Sequence, residues 1–319
     1  MSDVLQAFTA FFDHLRAIAW TPVLFALLCH LARIAVRTRA WRNILAAAFP
    51  ASRVRWRSVA GAYVAGAGVN AVLPARGGDL LKLYIVKHRI DGATYPTLAS
   101  SLVAETIVDV AVSGALLLWA FQQHVLPGVQ VLNHLPSVDW FWLFRHPRIA
   151  TIVIVGTLVA GFALGVWAAA RIAAFRARVG QGIAILRTPR LYLRSVVTWQ
   201  LLDWVLRIAS IYFFLRAFHV AANLDNALRV QVTASLSTIV PLTPAGIGTE
   251  QALVVYVLAG QGSHSALLSL SVGMKAIQSA LTVILGVIVV AVMLRTLHWR
   301  RAIESDNAGA AGDAHTEGG

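Results

Sequence analysis

Long apolar runs alternate with short arginine-rich connections along this chain of 319 residues. A bilayer hydrocarbon core of about 30 Å needs about 20 helical residues to cross it. Five runs are long enough, and they cover residues 17–36, 95–121, 149–170, 196–218 and 264–294. The pattern therefore predicts an all-α polytopic membrane protein with about five full spans.

Two further apolar regions, 58–89 and 229–260, are each interrupted by proline and glycine. Pro74 and Pro244 lack a backbone N–H and clash with the preceding helical turn, and the neighbouring glycines permit backbone angles that no helix uses. The segments on either side are too short to span, at roughly 17 to 24 Å. Because lipid cannot satisfy irregular backbone, each region is predicted to be a broken re-entrant helical hairpin that lines protein or a cavity.

The order of span, broken hairpin and span occurs twice, over residues 17–121 and 196–294, with the span 149–170 as a linker. This order predicts an internal duplication within a single transmembrane domain, residues 1–301. If both hairpins are re-entrant, they enter from opposite sides, as in the inverted repeats of alternating-access transporters. The tail 302–319 is rich in Gly, Ala and acids and is predicted to be a disordered cytoplasmic segment.

Composition agrees with a membrane location and sets the orientation. Hydrophobic residues make up 58% of the chain and charged residues 13%, and the mean hydropathy is +0.70. The net charge is +13, but the arginines gather in the connections 37–57 and 171–194. There they predict cytoplasmic contact with an anionic membrane surface, in a multi-pass protein of the cytoplasmic (inner) membrane. They do not indicate a nucleic-acid site.

Nine charged side chains fall inside the predicted membrane region, where each costs at least about 2.5 kcal/mol at the bilayer centre. They are Arg76, Asp79, Lys82, Glu105, Asp109, Asp203, Arg207, Glu250 and Lys275. At this cost we expect a paired network that faces the protein interior and serves charge balance or proton coupling. Asp203 and Arg207, one turn apart, can equally pair for packing alone. Asp79 and Glu250, each at the start of a half-helix, can equally be helix caps.

Arg76 is the strongest candidate for contact with a substrate. It precedes two glycines next to a helix N-terminus, and so offers a guanidinium fork and open backbone donors to a phosphate, with Lys82 as a second cation. The alternative is a structural ion pair of Arg76 with Asp79 or Glu105. The predicted substrate-binding set is Arg76, Lys82, Gly77, Gly78, Gly246 and Gly248.

Other polar residues predict no additional site. His30 and Arg33 lie near the cytoplasmic end of the first predicted span, where Arg33 can extend to water. The histidines and the single cysteine show no metal-ligand spacing, and the sequence has no phosphate-binding loop and no nucleophile elbow. We therefore predict no metal, no cofactor and no catalytic residue.

Three short motifs resemble the lysylphosphatidylglycerol synthase transmembrane-domain family, also called flippase-like, which includes the N-terminal domain of MprF-type proteins. They are NAVLPARGGD at 70–79, PAGIGTE at 244–250 and ETIVD at 105–109. The chain departs from the family pattern at Asp79, where the family has Glu, at Thr106, where it has Arg, and in a second motif that is one residue shorter. The resemblance covers about residues 17–294.

The resemblance implies a lipid flippase or translocase, and not an enzyme. Its substrate could be a phospholipid, a polyprenyl-phosphate carrier or a hopanoid-type lipid. Two alternatives stay open. One is a membrane enzyme acting on a lipid carrier, with Glu105 and Asp109 as acid and base or as metal ligands. The other is a non-transporting scaffold for a lipid-modifying enzyme partner, and a homo-oligomer is also compatible with the sequence.

Overall fold

The structure, a computed structural model, describes residues 17–72, 77–123, 173–239 and 248–313. Its α-helices are α1 (Trp20–Ala48), α2 (Trp56–Val72), α3 (Gly77–Lys87), α4 (Tyr95–Gln122), α5 (Ala173–Gly182), α6 (Pro189–Tyr192), α7 (Thr198–Ala217), α8 (Leu224–Ile239), α9 (Thr249–Val257) and α10 (His264–Asp313). A π-helical turn, Leu193–Val197, leads into α7. The all-α prediction is confirmed for these ranges. The predicted span 149–170 and four predicted residues, Pro74, Arg76, Pro244 and Gly246, lie outside them.

Among the described helices, three are long and apolar enough to cross a membrane. By length and composition they are α1, α4 and residues His264–Val292 of α10, which coincide with three of the five predicted spans. Helix α7 fills the predicted span 196–218, but polar residues such as Gln200 and Asp203 keep it out of this set. Helix α10 continues to Asp313, and the disorder of the tail stays a prediction.

Two helix pairs occupy the regions in which breaks were predicted. Helix α2 ends at Val72 and α3 begins at Gly77, and α8 ends at Ile239 and α9 begins at Thr249. The two helices of each pair pack against each other. The longest of the four has 17 residues, or about 26 Å, which is less than a hydrocarbon core. We name α2 and α3 the first hairpin, and α8 and α9 the second hairpin; their re-entry stays a prediction.

Helices α1 and α7 pack antiparallel along their whole length. Contacts are made between Ala19 and Ala217, Ala26 and Ser210, Arg33 and Asp203, and Asn43 and Ser195. Because residue numbers rise along one helix as they fall along the other, the two helices run in opposite directions. These are the first helices of the two predicted repeats.

The two halves also share one pattern of neighbours. In the first half α1 contacts α2 and α3 contacts α4, and in the second half α7 contacts α8 and α9 contacts α10. The halves are joined reciprocally, since α2 packs on α10 while α8 packs on α4. Each hairpin therefore rests against the last helix of the other half.

Apolar clusters fill both ends of the α1–α7 pair. One cluster packs Trp41 and Ile44 against the first hairpin and the start of α4. The other packs Phe214 and Leu215 against the second hairpin and the start of α10. Along α1, Arg33 lies between the two clusters. The charged side chains are therefore enclosed at the middle of the helix pair.

Glycine contacts bring three helices close together. A Cβ atom on Gly66 would lie 2.5 Å from the carbonyl oxygen of Gly78, which joins α2 to α3. A Cβ atom on Gly68 would lie 2.8 Å from the Cα atom of Gly286, which joins α2 to α10. Such small residues let membrane helices approach at backbone distance. Any larger side chain at these positions would push the helices apart.

Candidate functional site

A cavity of about 1000 Å³ lies between the two halves. Its described walls come from the α1–α7 pair, from both hairpins and from α4 and α10. Seven of the nine predicted charged residues line it: Asp79, Lys82, Glu105, Asp109, Arg207, Glu250 and Lys275. Asp203 lies behind the wall, where 1% of its side chain is exposed.

Arg37 of α1 is the centre of the charged network. Its Nε lies 3.0 Å from Glu105 Oε1, its Nη1 lies 3.3 Å from Asp203 Oδ2, and its Nη2 donates to Asp109 Oδ2. The planar guanidinium carries five donors in a rigid fork, which suits it to several carboxylates at once. One arginine thus joins α1 to both α4 and α7.

Asp203 of α7 is shared among three arginines. Arg33 Nε is 2.9 Å from its Oδ1 and Arg207 Nη2 is 3.2 Å from its Oδ2, in addition to the contact with Arg37. The pair expected between Asp203 and Arg207 at i and i+4 is present, but as part of a larger network. The Cζ atom of Arg207 also lies 4.5 Å from the ring centroid of Trp204. Trp204 in turn donates from Nε1 to Asp109 Oδ1 at 3.1 Å.

The sequence predicted no site at Arg33 and placed residue 37 in a connection, but the structure places both side chains in the charged network of α1. Helix α1 continues to Ala48, which places both arginines on its buried face. The sequence carries a signal for this, because neither proline nor glycine occurs between Pro22 and Pro50. Nothing local indicates the partners, since Glu105 and Asp203 are distant in sequence.

Lys82 of α3 is held between two aromatic rings. Its Nζ lies 4.2 Å from the ring centroid of Trp41 and 4.7 Å from that of Tyr63, and 3.5 Å from Glu105 Oε2. Trp41 is fixed in turn by donating from Nε1 to Ser101 Oγ at 3.1 Å. Cation–π contacts and a carboxylate together stabilise the ammonium of Lys82, a residue that is 6% exposed.

The hairpin breaks place their acids in the first turn of the following helix. Asp79 lies there in α3 and accepts from Asn70 Nδ2 at 3.3 Å. Asn70 Oδ1 accepts the backbone N–H of Gly78 at 2.8 Å, so this predicted phosphate donor is already engaged. Glu250 occupies the matching place in α9, next to Gly248, whose φ of 90° suits glycine.

Glu250 and Lys275 form an ion pair in the second half. Lys275 Nζ lies 2.7 Å from Glu250 Oε2, with side-chain exposures of 46% and 11%. In each half, therefore, an ion pair joins the second helix of the hairpin to the helix that follows. The signs are reversed, because Lys82 faces Glu105 in the first half.

Lys275→Gln is expected to destabilise the protein more than Glu250→Gln. Without the lysine, a buried carboxylate has no partner, which should lower the free energy of unfolding by about 1–3 kcal/mol. Without the acid, a half-exposed ammonium is left in contact with water, which should lower it by no more than about 1 kcal/mol. Thermal melting of both variants in one detergent measures the order. Equal losses would mean that the pair behaves as an exposed salt bridge.

Apolar side chains line the same cavity between the charged ones. One face of α4 contributes Leu102, Val110 and Leu117, and other helices add Ile211 and Met274. Val110 is 70% exposed although it lines the cavity, so the cavity opens along α4. Within the described ranges, no group of three or more His, Cys, Asp or Glu residues could hold a metal ion.

Comparison with curated proteins and with solved structures gave no match. A sequence model of one family, described as the lysylphosphatidylglycerol synthase TM region, matches residues 4–286. The matched range includes the α1–α7 pair, both hairpins and the cavity-lining part of α10. The chain is therefore a membrane protein that belongs to the lysylphosphatidylglycerol synthase transmembrane-region family.

Proposed function

We propose that this protein moves a phosphate-bearing lipid or lipid-linked substrate across the cytoplasmic membrane, as a multi-pass transporter. The observation that carries the proposal is a single cavity that is lined by both charged and apolar side chains. A lipid likewise combines a charged headgroup with apolar chains. Membership in a lipid-associated family agrees with this role.

The charged lining residues would receive the headgroup. Arg33, Arg207 and Lys275 expose 24%, 21% and 46% of their side chains, so each has donors within reach of a ligand. Their present partners are carboxylates, and phosphate oxygens accept the same kind of charge-assisted hydrogen bond. Arg76, together with Gly77 of the first hairpin, remains the proposed additional contact.

The apolar lining residues would receive the hydrocarbon chains. The open side along α4 leads to exposed apolar residues such as Val103 and Ile107, which in a bilayer face lipid. A substrate could therefore enter sideways with its headgroup in the cavity and its chains outside. In this arrangement the charged headgroup does not pass through hydrocarbon, and the hydrocarbon chains do not pass through water.

The packing of the two halves supports alternating access. Their first helices are antiparallel, and each hairpin contacts the last helix of the other half. An inverted repeat with its site at the midplane has this geometry. Exchange between two conformations would then open the cavity to one side of the membrane at a time.

Gly114→Phe is expected to reduce translocation at least about tenfold while the protein still folds. Gly114 lines the cavity, and a Cβ atom built there meets nothing within 4 Å, so a ring would occupy substrate space without displacing backbone. The assay reconstitutes the protein in liposomes and follows a fluorescent glycerophospholipid by quenching from outside. A labelled polyprenyl phosphate is the second substrate.

Val287→Phe is the matched control, because it adds the same ring at an exposed position of α10 that does not line the cavity. It should translocate at the parent rate. Equal inhibition by both variants would remove the cavity from the mechanism. If the parent accelerates neither lipid, the transport proposal is wrong and the scaffold and enzyme alternatives take its place.

A further inference from the structure

A second, smaller pocket lies away from the cavity, where the connection from α1 to α2 meets the connection after α3. Its volume is about 310 Å³. Arginines, serines and a histidine dominate its walls: Ser52, Arg53, Arg55, Ser58, His88, Arg89 and Asp91. None of these residues lines the large cavity. We name this set of residues the basic pocket.

The floor of the basic pocket belongs to the protein core. Val54, Val59, Val86 and Ile90 line it, and all four are at most 6% exposed and part of the first apolar cluster. Core packing holds such residues in place. The pocket therefore has a rigid base, although its rim is polar.

Hydrogen bonds tie the two connections together. Ser52 Oγ donates to the carbonyl oxygen of Asp91 at 3.3 Å, which bridges the rim. Arg42 of α1 donates from Nε to the carbonyl oxygen of Val54 at 3.1 Å. The segments that carry the arginines are thus positioned before any ligand binds, which lowers the ordering cost of binding.

The arginines of the rim outnumber the acids and are not used in ion pairs. Three arginines and one aspartate line the pocket. Across the described ranges, Arg53, Arg55 and Arg89 make no salt bridge to a carboxylate within 4.0 Å. This contrasts with the large cavity, where Arg33, Arg37 and Arg207 are all paired with acids.

We infer that the basic pocket binds a net-anionic phosphate group, with Arg53, Arg55 and Arg89 as donors. Guanidinium groups recognise phosphate oxygens through paired N–H donors, and serine hydroxyls can supply further bonds. The phosphate could belong to the headgroup of an anionic lipid or to a soluble phosphate compound. Both sources share this chemistry, and the site is independent of the proposed transport.

Calorimetric titration of the purified full chain in a neutral detergent tests the inference. The probes are a short-chain phosphatidic acid, the matching phosphatidylcholine, whose phosphate is balanced by choline, and glycerol 3-phosphate. A variant that carries both Arg53→Gln and Arg89→Gln should bind the anionic probes about 25-fold more weakly, because each arginine contributes about fivefold to the affinity. Should that pair fail to fold, each single variant is measured instead.

Arg57→Gln with Arg190→Gln is the matched control. It removes the same charge from exposed positions of the two arginine-rich connections, outside the pocket, and should change the affinity less than about twofold. A preference for phosphatidic acid over glycerol 3-phosphate identifies a lipid headgroup, and equal affinity identifies a soluble phosphate. The inference is overturned if no anionic probe saturates, if phosphatidylcholine binds as well, or if the control loses as much affinity.

Discussion

Replacing Arg37 with glutamine should abolish translocation and lower the free energy of unfolding by about 3–5 kcal/mol, the usual cost of removing one partner from a buried ion pair. The guanidinium is shared by Glu105, Asp109 and Asp203, and 13% of the Arg37 side chain is exposed. Without it, two carboxylates one turn apart on α4 lose their common cation. Thermal melting and the liposome assay measure the two effects.

Arg39→Gln is the control for charge and for position on the same helix. Arg39 is exposed and its guanidinium lies over the ring of Trp56 at 5.7 Å, away from the carboxylates. We expect both stability and translocation to stay near the parent values. If Arg37→Gln folds and transports like the parent, the charged network has no role in transport.

Adjacent glycines at the start of α3 should respond in opposite ways to alanine. In Gly78→Ala the new Cβ atom would collide with the carbonyl oxygen of Gly66 and would lie 2.8 Å from Asn70 Oδ1. Overpacking of this kind costs about 1–3 kcal/mol. In Gly77→Ala the Cβ atom meets nothing within 4 Å, so the stability should be unchanged or slightly higher.

Thermal melting of the two alanine variants under the same conditions gives the comparison. A large loss for residue 78 alone would establish that the first hairpin depends on backbone contact between its helices. Equal losses at both positions would indicate that the glycines are needed for chain flexibility or for a ligand. In that case the packing explanation fails.

Local signals explain why much of the helical framework could be predicted. The expected span 95–121 matches α4, and the expected breaks fall where α2 and α8 end, because proline and glycine act on their own segment of backbone. The first span was predicted too short, since Arg37 was treated as the start of a polar connection. Hydropathy alone cannot distinguish a charged residue at a helix end from one that is paired in the interior.

The pairing of charges could not be predicted in the same way. The free-energy cost of placing a charge in a membrane selected the acids Glu105, Asp109 and Asp203 as candidates, and the structure places them in one network. Their main cation comes from α1, and that choice depends on how α1, α4 and α7 pack, with sequence separations of 68 to 166 residues. No spacing rule within one helix contains this information. The basic pocket likewise exists only because two connections meet.

The carboxylate of Asp203, which three arginines share, bears on how α7 is inserted into the membrane during synthesis. A segment with Asp203 and Arg207 at its centre partitions poorly into a bilayer by itself. Arg33 and Arg37, made far earlier during synthesis, supply the charges that make this segment acceptable to lipid. If α7 spans the membrane, as the sequence predicts, we expect its stable insertion to require α1 beside the insertion site, so that the second half enters the membrane as the partner of the first.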